Sequence, residues 1–185
     1  MEFLGEFVYC LFLGFGLFIL VTAFIRFNDA KRKEATRSLT DSAVAVVRLA
    51  SLCFLGMWIA QLYADLQSEE EYYSTLTRLT GAYWFGYWIY PLCYGIIPQS
   101  LWIKKLKSMK WIRILIAAML LFAVYIERIV IMIASLHRDY VPSGWTMLLN
   151  DSIFYDLAFG AVVFLLVLGL AHFLRMTLRK KQYAG

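Results

Sequence analysis

The 185-residue chain is 62% hydrophobic and 17% charged, with a mean hydropathy of +0.66; soluble domains, in which apolar residues make up about half, are excluded by such a composition. Each crossing of a hydrocarbon core about 30 Å thick takes roughly 20 apolar residues, so the length allows about four to six spans and no separate soluble domain. The net charge of +5 sits in short clusters between apolar runs rather than in a continuous stripe, which signals membrane topology and no nucleic-acid partner.

In chain order, the first apolar run, 7–27, is led by Glu2 and Glu6 rather than by lysines. It is longer than a signal core and lacks an obvious small-residue cleavage site, so it reads as a helix. Further spans are expected at 42–66, 82–103, 111–136 and 147–176, which makes the chain an all-α membrane protein with a single transmembrane domain, 1–185, of about five helices. The connection after the first span carries Arg26, Lys31, Arg32, Lys33 and Arg37. The one after the third carries Lys104, Lys105, Lys107, Lys110 and Arg113, and the tail carries Arg175, Arg179, Lys180 and Lys181. The intervening connections hold Asp65, Glu69, Glu70 and Glu71 with Arg78, and then His137, Arg138 and Asp139. Positive residues mark the inner side, so the N terminus is expected outside and the C terminus inside. Tyr72, Tyr73, Tyr83, Trp84, Trp102, Trp111, Tyr140 and Trp145 fall where bilayer interfaces would lie.

Chemistry-bearing motifs are sparse. Cys10, Cys53 and Cys93 lie in separate apolar stretches without CxxC spacing, so neither a disulfide framework nor an iron–sulfur ligand set is visible, and no metal site is expected. His137 falls at the outer end of one helix and His172 near the inner end of another, so they cannot serve one haem. With no glycine-rich phosphate loop and no nucleophile triad, catalysis by this chain alone is not expected.

The informative residues are the charges inside the apolar runs, because an ionisable group in hydrocarbon costs a few kcal/mol or more unless paired, hydrated or able to snorkel. Arg48, Glu127, Arg128 and Asp156 qualify. Arg48 is close enough to the inner end of its helix to reach headgroups. Arg128 and Asp156 each fall roughly 14 Å from the outer surface at about 1.5 Å per residue, so they can meet at one depth. Glu127 points about 100° away from Arg128, and one lipid-facing surface cannot hide both. Ser152, Asp156 and Gly160 form a small, polar seam suited to close approach by another helix. Tyr87, Tyr90 and Pro91 occupy a comparable depth, where the hydroxyls could complete a network and the rings could line a flat organic ligand. Such a layer reads either as a structural ion pair, or as a proton path or quinone-facing site, or as pairing across a subunit interface. Pro91 and Pro98 interrupt the third helix, and Gln99 is placed to replace a lost hydrogen bond. Arg138 and Asp139 lead into Val141, Pro142 and Ser143, an ordered outer turn or a docking surface.

Two segments carry a family resemblance: RLTGAYWFGYWIYPLCYGIIPQSLWIKKLK at 78–107 and IERIVIMIASLHRDYVPSGW at 126–145. Pro98, Gln99 and Trp102, the Glu127–Arg128 pair, and the turn formed by Ser135, Leu136, Arg138, Asp139, Pro142 and Ser143 resemble the C-terminal half of the NrfD-like, or polysulfide reductase, membrane-subunit family, as in alternative complex III. Gly144 stands where the family's Pro-Ser-Ser-Trp turn has serine. The resemblance implies a core four-helix bundle, half of an NrfD-like subunit, free of haem, in a bacterial inner membrane with a periplasmic N terminus. It further implies a role in quinol oxidation or proton translocation, with other membrane subunits and iron–sulfur or cytochrome subunits as partners. No cofactor is expected on this chain alone, quinone being shared with the complex; family members place it mainly in the N-terminal bundle, beyond the matching half. A non-catalytic structural or assembly subunit and a small transporter or channel are the competing readings.

Overall fold

The computed structural model describes the backbone of residues 2–25, 29–81, 84–136 and 152–183, and the side chains of 3–25, 29–81, 84–123 and 155–177. Every regular element among them is helical. In chain order these are α1 (Glu2–Phe24), α2 (Ala30–Gln67), α3 (Tyr72–Thr80), a broken helix, α6 (Lys104–Ser108), α7 (Lys110–Leu136) and α8 (Ser152–Tyr183). The broken helix is α4 (Trp84–Tyr90), a π-helical stretch (Pro91–Ile96), α5 (Ile97–Gln99) and a 3-10 turn (Ser100–Trp102). Three helical segments among the described residues, Phe3–Phe24, Ala30–Gln67 and Tyr155–Thr177, are long and apolar enough to cross a membrane.

Because α1 is apolar on all sides, it can bury its whole circumference, and over residues 10–16 it does so as the hub against which α2, α7 and α8 pack. Its Val8, Leu11, Phe12, Phe15 and Ile19 sit in one core with Val44 and Val47 of α2, Ala117 and Leu120 of α7, and Phe164 and Leu168 of α8. Gly14 and Gly16 make that double contact fit. A Cβ on Gly14 would overlap the Phe164 Cβ and stand 2.6 Å from the Gly160 carbonyl oxygen, and one on Gly16 would stand 2.6 Å from the Leu121 Cγ. Gly160 answers from α8, where a Cβ would meet the Leu13 Cβ at 3.0 Å. α1 and α8 therefore run parallel at backbone distance, the small-residue packing by which helices associate in lipid. α2 and α7 run the opposite way.

α2 begins well before its apolar portion. Asp29 caps it, accepting from the Lys31 amide at 3.2 Å, and Lys31, Arg32, Lys33 and Arg37, expected in a connection, form its first turns. Ala, Lys, Arg and Glu are good helix formers, so the helix extends past the membrane limit that hydropathy marks. At 1.5 Å per residue its 38 residues reach roughly 57 Å, well beyond a hydrocarbon core. The second connection likewise holds a helix, α3, closed where the Gly81 amide donates to the Thr77 carbonyl at 2.8 Å.

Pro91 opens the π-helical stretch. Proline has no amide proton for the preceding turn and its ring crowds the carbonyl there, and a widened turn relieves both. The fifth expected span starts within the described part of the chain only at Ser152; residues 147–151 lie outside it. All three basic segments converge at one end of the bundle. Asp41 of α2 meets Lys107 of α6 at 2.8 Å and Arg175 of α8 at 3.7 Å, and Lys110 of α7 donates to the Ala23 carbonyl of α1 at 2.9 Å. Glu69, Glu70 and Glu71 lie at the opposite end, beyond the C terminus of α2.

Candidate functional site

Outward from the converged basic end, α2 and the broken helix are joined by a polar latch. Ser51, fully buried, donates its hydroxyl to the Gly95 carbonyl at 2.6 Å. Gln99 Nε2 donates to Ser51 Oγ at 2.7 Å, and Gln99 Oε1 accepts from Trp102 Nε1 at 2.7 Å. The Arg48 guanidinium lies over the Trp102 ring, 4.2 Å from its centroid. A ring face is a favourable seat for a cation that cannot be fully hydrated. Gln99, placed to replace a hydrogen bond lost at the prolines, bonds across to α2 and to Trp102, while Ser51 serves the carbonyl of the π-helical stretch. Gly95 makes the approach fit, since a Cβ there would overlap Leu55. Arg48, close enough to the inner end of its helix to reach headgroups, rests on Trp102, and its Nε is buried without a hydrogen-bond partner among the described residues.

Toward the other end, between α1, α2 and the broken helix, lies a cavity of about 300 Å³ lined by Tyr9, Phe12, Phe54, Met57, Trp58, Gln61, Tyr90 and Tyr94, with Gly5 at its edge. Its walls are flat rings. Tyr94 stacks on Phe12 at 4.8 Å between centroids and meets Phe54 edge-on at 5.6 Å. Its hydroxyl donates to the Leu120 carbonyl at 3.3 Å, tying this wall to α7. Tyr90 packs on Tyr94, and Tyr87 lies just outside, against Trp58 at 5.8 Å. Of the tyrosines singled out from sequence, Tyr90 therefore lines the cavity and Tyr87 backs it. Sequence reading missed Tyr94, which is as fully buried as Phe12, because its signal is one more aromatic in an aromatic-rich stretch.

The expected charge layer is described only in part. Asp156 is exposed on α8 beside Tyr155, which is 76% exposed, and no ion pair or hydrogen bond joins it to a described residue. One turn further, Gly160 makes the close helix contact that the seam predicts. Glu127 and Arg128 lie on α7, in the portion whose side chains are outside the described residues, so a meeting of Arg128 with Asp156 is outside them too. Arg138, Asp139, Pro142 and Ser143 also lie outside the described residues.

A quinone ring is a planar, largely apolar group with polar oxygens at its edge. Flat aromatic walls with Tyr9, Tyr90 and Gln61 as polar groups fit that chemistry, and pockets for small molecules commonly combine an apolar lining with a few polar groups. Among the described residues, no group of histidine, cysteine and carboxylate side chains is placed to hold a metal ion. No protein-family model matches the chain, and no curated protein matches it.

Proposed function

We propose that this chain is an integral membrane subunit of a quinol-oxidising respiratory complex of the alternative complex III type, contributing a haem-free helical bundle to quinol oxidation or proton translocation. The observation that carries the subunit reading is Asp156. A carboxylate exposed on a helix whose outward side chains include Phe159, Val162 and Leu166 is costly against lipid, and a neighbouring protein chain would relieve that cost. The resemblance of 78–107 and 126–145 to NrfD-like subunits supplies the kind of assembly. Within it, five spans run alternately, the basic end faces the cytoplasm and the N terminus is periplasmic, in a bacterial inner membrane.

The aromatic cavity is where the chain would take a share of a quinone. Quinol oxidation releases two electrons and two protons; Tyr90, Tyr94 and Trp58 hold the ring in place and exclude water, and Glu127 or Asp156 accepts a proton on its way out. Iron–sulfur or cytochrome partner subunits take the electrons. In the purified complex, Glu127→Gln and Asp156→Asn are each expected to lower quinol turnover or proton coupling. Unchanged turnover and coupling in both would count against this role.

A non-catalytic scaffold is the second reading, and the same exposed Asp156 favours it, since a covered charge can simply fix two subunits in register. Under that reading both substitutions lower the yield of assembled complex while activity per assembled complex is preserved. Copurification in mild detergent tests what the readings share: an iron–sulfur or cytochrome subunit is expected in the eluate, and a chain that purifies alone would sink both.

A further inference from the structure

At the basic end a second cavity, about 230 Å³, opens between α1, α2 and α7. It is lined by Arg37, Lys110 and Arg113 with Thr22, Thr36 and Thr40, and by apolar Ile19 and Ile114 toward the bundle. We propose that this cavity binds the phosphate of an anionic, hydroxyl-bearing phospholipid headgroup such as phosphatidylglycerol.

The charge balance argues for an anion. Asp41 is the carboxylate whose field reaches Arg37 and Arg113, but its direct ion pairs are to Lys107 and Arg175, so one negative charge is shared among four basic groups. Asp29 caps α2, and neither it nor the exposed Glu34 lies within ion-pair distance of Arg37 or Arg113. Arg113 is half-buried, which makes its charge expensive without a counter-ion. Lys110 spends one proton on the Ala23 carbonyl, and no other described residue takes either of its remaining two. α7 also begins at Lys110, so the positive end of a 27-residue helix adds to the same field.

The threonines narrow the ligand. Thr22 donates to the Phe18 carbonyl at 2.8 Å, Thr36 to the Arg32 carbonyl at 2.9 Å and Thr40 to the Thr36 carbonyl at 2.8 Å. With their protons committed, these hydroxyls present lone pairs. They complement a headgroup that carries its own hydroxyl donors beside the phosphate. Position selects lipid over free phosphate: the cavity adjoins apolar Ile19 and Ile114 at the end of two helices that are long and apolar enough to cross a membrane. Basic pockets between such helices commonly take anionic headgroups.

The test uses the full chain in nanodiscs or detergent, with phosphatidylglycerol and phosphatidylcholine of matched acyl chains as probes. Retained lipid is read by native mass spectrometry. Phosphatidylglycerol is expected to be retained about tenfold or more over phosphatidylcholine, and the Arg37→Gln/Lys110→Gln variant to lose most of that preference. Both side chains are exposed, so the bundle is expected to fold; Lys104→Gln removes an exposed charge outside the cavity and is expected to keep the preference. Equal retention of the two lipids overturns the proposal. So does an equal loss in Lys104→Gln, or displacement of phosphatidylglycerol by inorganic phosphate at matched concentration.

Discussion

Gln99 Nε2 reaches Ser51 Oγ at 2.7 Å, and through that contact the side chain after Pro98 is tied to a fully buried hydroxyl of α2. Ser51→Ala removes the donor to the Gly95 carbonyl and the acceptor for Gln99 together. A loss of about 1–3 kcal/mol is expected, since buried polar groups left unpaired keep their desolvation cost. Thermal unfolding in detergent measures it. In a double-mutant cycle with Gln99→Ala, additive effects would show that the latch contributes nothing as a unit.

Helix approach at Gly14 admits no side chain. Gly14→Ala is expected to cost about 1–3 kcal/mol, because the added methyl must displace Phe164 or the α8 backbone. Gly5→Ala provides the comparison, since a Cβ there meets nothing within 4 Å. Equal unfolding temperatures for the two variants would contradict the close contact.

Asp41 sits between Lys107 and Arg175 with about a third of each side chain exposed. Solvent screens such pairs, so Asp41→Asn is expected to lower stability by no more than about 1 kcal/mol. The loss is expected to shrink as salt rises from low to molar concentration. A loss independent of salt would mean that Asp41 acts through packing rather than charge.

Trp58 stands in the wall of the aromatic cavity. A short-chain quinone is expected to quench part of the tryptophan emission of the purified protein, and Trp58→Phe to abolish most of that change while preserving the fold. Quenching that is unaltered by Trp58→Phe would place the quinone elsewhere.

Much of the architecture was legible because hydropathy and charge act over whole segments. The apolar runs of α1 and α8, and the gathering of Lys107, Lys110 and Arg175 at one end, follow from sequence patterning alone. Helix ends were not legible in the same way: hydropathy marks where lipid stops, whereas Asp29 and the helix-forming residues after it decide where α2 starts. Gly160 could be read as a contact site because small residues at helical spacing have few other uses in lipid. Tyr94 could not, since its role comes from Phe12, Phe54 and Leu120, brought to it by three other helices. The partner of Gln99 was hidden for a related reason: Pro91 widens the turn and resets which side chains face α2.

The parallel contact of Gly14 with Gly160 also bears on biogenesis. Its halves are separated by nearly the whole described chain, so α1 leaves the ribosome long before α8 exists. Until then α1 has α2 and α7 against it, and its Gly14 face is left to lipid or to a neighbouring polypeptide. Translation order therefore makes closure of the bundle a late event, governed by when the last of these helices emerges.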